Sequence, residues 1–194
     1  MNRGRPRIFN PEYVLESAMQ LFWRKGYEAT SLQDLLQATG LSKSSLYDSF
    51  GNKQSLFEAA FTRYFDMRAV LMREELGRAA SPLAFIRNCL NSVLEDVAPG
   101  YGPRGCMLVN VANEFSTNDP SVEKLIFLAT RRFREVFVEA FEQAKISGEV
   151  SQSKDPASLA LFMHCAMSGL RTQVKSGIAR KEILTVIEII MANF

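Results

Sequence analysis

Histidine and cysteine are scarce in this sequence of 194 residues. It contains one histidine, His164, and three cysteines, Cys89, Cys106 and Cys165. A single histidine excludes metal and catalytic sites that require two imidazoles. The cysteines are far apart and lack C-x-x-C spacing, which argues against both a disulfide framework and a structural zinc site. We therefore expect reduced thiols, no metal and no cofactor.

The sequence also lacks common catalytic motifs. The sequence has no P-loop, no G-x-S-x-G pattern and no pair of carboxylates spaced for acid–base chemistry. We therefore expect that the chain is not an enzyme.

Long hydrophobic runs are absent. Glu182 and Glu188 interrupt the apolar C-terminal segment, so no stretch reaches the roughly 18 residues that a membrane span requires. Asn10, Glu12 and Glu16 follow the basic N-terminus, where a secretory signal would need an apolar region. The sequence therefore predicts a cytoplasmic protein without a membrane partner.

Positive charge is concentrated at the N-terminus. The formal net charge is +2, and Arg3, Arg5 and Arg7 lie in the first seven residues with no acidic residue among them. Arginines separated by Gly and Pro form an extended arm, and such arms can enter an A·T-rich minor groove. The alternative is a tail with only general electrostatic affinity for polyanions.

Apolar residues recur with helical spacing along almost the whole chain, and no N-G or D-G hairpin signal separates alternating strand patterns. The sequence therefore predicts an all-α fold with about nine helices. They are expected over residues 11–25, 30–39, 43–49, 53–76, 82–96, 106–116, 120–146, 156–176 and 180–193. Asn10 and Pro11 should begin the first helix, and Thr30 with Gln33 should form a capping box at the second.

The second and third helices are short, and the turn between them contains Gly40, which is the spacing of a helix-turn-helix. Leu46 and Phe50 should anchor the third helix to the core. Its other side is polar: Lys43, Ser44, Ser45, Tyr47, Asp48 and Ser49. With Lys53 nearby, this face suits contacts to phosphates and base edges of DNA. The alternative is an ordinary solvated helix surface.

Two segments carry a family resemblance. They read Phe22-Trp-Arg-Lys-Gly-Tyr-Glu-Ala-Thr-Ser31 and Ser42-Lys-Ser-Ser-Leu-Tyr-Asp-Ser-Phe-Gly-Asn-Lys53. Over residues 8–65 the sequence closely resembles the TetR/AcrR family of bacterial transcriptional regulators. The resemblance implies DNA contacts from Lys43, Ser44, Tyr47 and Lys53, and a phosphate near Thr30 or Ser31. Asp48 and Ser49 depart from the aromatic or histidine residues frequent in the family.

The resemblance also implies a domain organisation. Residues 1–9 form the basic arm, residues 10–55 the helix-turn-helix domain, and residues 56–194 an effector-binding and dimerisation domain, with the helix over about 53–76 linking the last two. Dimerisation is assigned to the last two helices. The expected interface residues are Leu159, Phe162, Ala166, Leu170, Ile183, Ile187 and Ile190. A buried core within one protomer would explain the same residues.

An effector chamber is conceivable among aromatic and sulfur-containing residues of the larger domain. The candidates are Phe85, Cys89, Met107, Val111, Phe127, Phe133, Phe137, Phe162, Met163 and His164. The alternative is ordinary core packing, in which the His164 imidazole has its hydrogen-bond partners in the core or in a pocket.

Cys106 is a candidate sensor. It follows Arg104 and Gly105 at an expected helix start, where a guanidinium and the helix dipole would favour the thiolate. Some members of the resembled family sense electrophiles or oxidants at a similar G-C-[LM]-L position. The alternative is a buried structural thiol. Cys89 and Cys165 are expected to be protected.

The sequence therefore predicts a repressor that binds a palindromic operator on double-stranded DNA as a homodimer. A small-molecule or reactive-electrophile inducer would release it. The alternative is a helical small-molecule-binding protein, or an enzyme, whose helix-turn-helix no longer binds DNA.

Overall fold

The computed structural model describes residues 9–97, 106–115 and 120–194. Within these residues the protein contains nine α-helices, one 3-10 helix and no strand, which confirms the predicted fold class. The α-helices are α1 (Pro11–Lys25), α2 (Leu32–Thr39), α3 (Lys43–Phe50), α4 (Lys53–Arg78), α5 (Pro82–Asn91), α6 (Met107–Glu114), α7 (Pro120–Ile146), α8 (Pro156–Lys175) and α9 (Arg180–Met191). The 3-10 helix is Ser92–Val97. No helix of the described residues is long and apolar enough to cross a membrane.

The chain divides into two compact units. The first ends at Tyr64 and the second runs from Phe65 to Phe194, so α4 contributes residues to both.

The first unit is built around aromatic side chains. Phe57 is 1% exposed, and its ring lies edge-on to Phe22 at a centroid distance of 5.2 Å. The rings of Tyr27 and Phe61 contact it at 5.2 Å and 5.6 Å. Leu46 of α3 is fully buried. Leu35 of α2 is also fully buried, and these two leucines anchor the short helices α2 and α3, which could not be stable alone.

The start of α1 agrees with the sequence, but the start of α2 does not. Asn10 Oδ1 accepts a hydrogen bond from the Glu12 amide at 2.9 Å, and Pro11 is the first helical residue. In α2 the capping residue is Ser31, paired with Asp34, instead of the predicted Thr30 with Gln33. The Thr30 side chain is fully buried and donates to the Gly26 carbonyl at 2.6 Å, so it cannot cap the helix.

The helix predicted over 82–96 ends earlier, at Asn91. The Ser92 hydroxyl donates to the Cys89 carbonyl at 2.8 Å, and the chain continues as the tighter 3-10 helix. Val93 and Leu94 remain buried there. Side-chain bonds of this kind compete with the α-helical ladder.

Candidate nucleic-acid interface and effector cavity

The helix α3 presents a polar face to solvent. It begins at Ser42, whose hydroxyl accepts from the Ser45 amide at 3.1 Å. Leu46 turns inward, while five side chains on the other sides are exposed: Lys43, Ser44, Tyr47, Asp48 and Ser49. Ser45 is half-buried, and its hydroxyl lies 2.9 Å from that of Ser42.

The turn between α2 and α3 depends on one glycine. Gly40 has φ of +69° and its amide donates to the Leu36 carbonyl at 3.0 Å. A Cβ atom at Gly40 would meet nothing within 4 Å, so the requirement for glycine is conformational and not steric crowding.

Two lysines lie over tyrosine rings. Lys43 Nζ is 5.9 Å from the ring centroid of Tyr47, and Lys53 Nζ is 4.2 Å from that of Tyr27. Lys53 is half-buried at the first turn of α4. A ring below an ammonium attracts it and limits its rotamers. Each lysine is therefore positioned by a neighbouring aromatic ring.

We expect Lys53→Ala and Lys43→Ala each to weaken binding to every duplex. Each substitution removes a phosphate contact in both half-sites, so the slope of log affinity against log salt should fall by about one unit per half-site. Fluorescence anisotropy at several salt concentrations measures the slope. Lys124→Ala, an exposed lysine of the second unit, is the matched control and should leave the slope unchanged. An unchanged slope in Lys53→Ala would contradict the assignment.

Thr30 and Ser31, one of which is expected to lie near a phosphate, differ in exposure. The Thr30 hydroxyl is buried, as described above. The Ser31 hydroxyl and amide donate to Asp34 Oδ2 at 2.7 and 2.9 Å, and Lys25 Nζ donates to the same oxygen at 2.7 Å. The Lys25 ammonium, followed by Ser31, holds the pKa of Asp34 far below its ordinary value. The Thr30 hydroxyl is therefore used at the end of α1, whereas Ser31, which is exposed, caps α2 and stays the candidate for the predicted phosphate contact.

Four residues that the sequence analysis named are not among the described residues. Arg3, Arg5 and Arg7 lie outside the described residues, and so does Arg104, the predicted neighbour of Cys106.

The second unit contains a cavity of about 350 Å³. It is lined by Arg68, Glu75, Phe85, Asn88, Cys89, Ser92 and Glu95. Only Phe85 and Cys89 of the predicted chamber line it. Sequence reasoning missed the polar residues because it searched for aromatic and sulfur side chains. The sequence did contain one signal for these polar residues: Arg68 and Glu75 are seven residues apart, which places them on the same side of α4. In the structure Arg68 Nη1 lies 3.2 Å from Glu75 Oε1.

The other predicted chamber residues lie elsewhere. Met107, Val111, Phe137 and Met163 are buried, and the last two belong to the core of the second unit. Phe133 is partly buried against that core. Phe127 and Phe162 are 61% and 42% exposed and do not line this cavity. Burial, followed by Arg134, lowers the pKa of the half-buried His164.

The three cysteines differ in accessibility. Burial raises the pKa of Cys89 to about 12, which keeps this thiol protonated. Cys106 is half-buried and precedes α6 without a side-chain capping bond. Cys165 is exposed on α8, so the expectation that its helix protects it is wrong for the single chain.

Most of the predicted interface residues face inward. Leu170, Ile183, Ile187 and Ile190 are at most 5% exposed and belong to the core of the second unit. Leu159 and Ala166 pack against the same core, which leaves only the exposed Phe162. These helices carry apolar residues on more than one side. The exposed apolar residues of α8 and α9 are Leu161, Phe162, Leu184, Val186 and Ile189, which we call the outer face.

Comparisons with known proteins agree with the two-unit organisation. Residues 14–60 match the family model of bacterial regulatory proteins, tetR family, and residues 82–183 match that of the tetracyclin repressor-like C-terminal domain. The chain is 30% identical to the HTH-type transcriptional repressor ComR of Escherichia coli over 193 residues, covering 95% of this chain and 89% of ComR. It is 28% identical to the repressor BdcR of the same species, covering 90% and 83%.

Solved structures show the same fold. A cysteine mutant of the TetR family regulator CifR, complexed with 26-bp operator DNA, has a TM-score of 0.80 and 28% identity. The match covers 97% of this chain and 98% of CifR. Two family models, a relative at 30% identity over nearly the whole chain and the shared fold lead to one conclusion: the chain belongs to the TetR family and is a DNA-binding transcriptional regulator, not an enzyme.

Proposed function

We propose that this chain is a cytoplasmic repressor that binds a palindromic operator as a homodimer and leaves it when an inducer binds. The observation that carries the proposal is the exposed polar face of α3, flanked by Lys43 and Lys53 over their tyrosine rings. Short polar side chains on a helix, bordered by lysines, fit the base edges and phosphates of a major groove. The name of ComR as a repressor and the operator complex of CifR support it.

We assign DNA binding to residues 10–55 and both effector binding and dimerisation to residues 56–194. One helix-turn-helix domain has few side chains that read bases and therefore selects a genomic site poorly, whereas two such domains about 34–36 Å apart read two half-sites. The outer face of α8 and α9 supplies the apolar surface for pairing, because its five residues are exposed in the single chain.

The cavity beside Cys89 is the proposed effector site. Its walls carry a guanidinium, two carboxylates, an amide and a hydroxyl, together with the ring of Phe85. A few polar groups beside an apolar wall are typical of sites for small molecules. A ligand releases DNA only if it binds the released conformation more tightly than the bound one.

Selection of DNA from a random duplex library by the purified full chain tests the function. We expect an inverted repeat and binding by one dimer. Recovery of unrelated fragments without a shared motif would contradict sequence-specific regulation and would favour a helix-turn-helix that no longer binds DNA.

Thiol reactivity tests whether Cys106 is part of the response. At neutral pH, N-ethylmaleimide should modify Cys106 faster than Cys89, because Cys89 is buried and protonated. Modification should lower operator affinity in the wild type but not in Cys106→Ser. Mass spectrometry after timed labelling gives the rates.

Cys165→Ser is the matched control and should respond as the wild type does. If Cys106→Ser also loses the operator on treatment, Cys106 is not the sensor. The inducer would then be a small molecule that binds reversibly in the cavity.

A further inference from the structure

An acidic residue occupies the centre of the exposed face of α3. Leu46 is fully buried, and Ser44 and Asp48 lie two residues on either side of it. Two residues correspond to about 200° around a helix, so both side chains lie on the side opposite Leu46. They are four residues apart and therefore neighbours on one ridge. The Asp48 side chain is exposed.

Positive charges lie beside this ridge, not on it. Lys43 and Tyr47 are on one flank of α3, and Lys53 follows at the start of α4. Within the part of the chain that the structure describes, no hydrogen bond or ion pair involves the Asp48 carboxylate. The carboxylate is therefore available to a ligand that approaches this face.

A carboxylate on a DNA-binding face has few favourable partners. It has no proton to donate, so phosphate oxygens and the acceptor atoms of guanine and thymine repel it. The donors on base edges in the major groove are the amino groups of cytosine and adenine. Adenine also presents the acceptor N7 beside its amino group, whereas cytosine presents the amino group without it.

We propose that Asp48 is a specificity-determining residue that accepts a hydrogen bond from a cytosine amino group in each operator half-site. The inference rests on the proposed function, because it requires α3 to lie in the major groove. Asp48 lowers the affinity for random DNA, because its negative charge opposes the phosphates. It contributes discrimination at one base pair, which phosphate contacts from the lysines do not supply.

Parallel selection from one random duplex library tests this with the full-length wild type, Asp48→Ala and Asp48→Asn. The wild-type motif should contain a fixed C·G pair in each half-site. Asp48→Ala should lose the preference there, about 10-fold or more, and should bind unrelated DNA more tightly than the wild type. Asp48→Asn should shift the preference towards adenine, because an amide can bond to N6 and N7 together.

Glu16→Gln is the matched control, because it removes one exposed acidic charge from α1 of the same unit. It should leave the motif unchanged. The inference would be overturned if Asp48→Ala retained the wild-type motif at every position and bound all duplexes more tightly by the same factor. Asp48 would then act only as a repulsive charge. A wild type that selects no motif would instead contradict the proposed function.

Discussion

Ile189→Lys should leave the protein folded and convert the dimer into monomers, whereas Ile187→Lys should unfold the second unit. The two residues are two positions apart on α9, but Ile189 is 59% exposed and Ile187 only 1%. A lysine at Ile187 would place an unpaired ammonium in an apolar core, at a cost of several kcal/mol. A lysine at Ile189 remains in water in the monomer and opposes only the pairing of outer faces.

Light scattering after size exclusion measures the mass, and circular dichroism on heating measures stability. A monomer has only one helix-turn-helix domain, so its operator affinity should be lower than that of the dimer by about 100-fold or more. Ile146→Lys, at an 86% exposed position at the end of α7, is the control and should remain dimeric. A dimeric Ile189→Lys variant would exclude this part of α9 from the interface.

Phe57→Ala should destabilise the first unit by about 3–5 kcal/mol. Its ring is 1% exposed and lies in contact with Phe22, Tyr27 and Phe61, so truncation leaves a cavity at the centre of the aromatic cluster. A unit of this size is stable by only about 3–10 kcal/mol in total. We therefore expect a large loss of operator binding at 37 °C together with early unfolding of this unit.

Differential scanning calorimetry and operator titration measure the two effects. Tyr13→Ala, an aromatic residue of the same unit that is 60% exposed, should change neither stability nor affinity by much. A Phe57→Ala variant with wild-type heat stability would show that the cluster is not the main source of stability.

The fold could be predicted because local signals and helical periodicity agree over most of the chain. Asn10 and Pro11 mark the start of α1 without ambiguity. Thr30 and Ser31 are both capable caps, and only the packing of Thr30 against the preceding turn decides between them. The premature end of α5 follows from one serine hydroxyl, whose choice of partner a pattern of apolar residues does not encode.

The site was less predictable than the fold. Periodicity shows that α9 is apolar, but it does not show which apolar side meets its own core. Ile187 was therefore assigned to the interface although it is 1% exposed, and the exposed Ile189 was not named. The cavity was missed for a related reason. The spacing of Arg68 and Glu75 on α4 places these two side chains together, but only tertiary structure brings Asn88 of α5 to them.

The position of the one tryptophan gives the protein a built-in optical label. Trp23 is the only tryptophan in the sequence, and its indole lies 5.6 Å from the ring of Tyr64, within the first unit. Emission from this indole therefore reports on the DNA-binding unit alone, while the second unit is invisible at that wavelength. Unfolding of the first unit, or its rearrangement when an effector or operator is added, can be followed separately without attaching any dye.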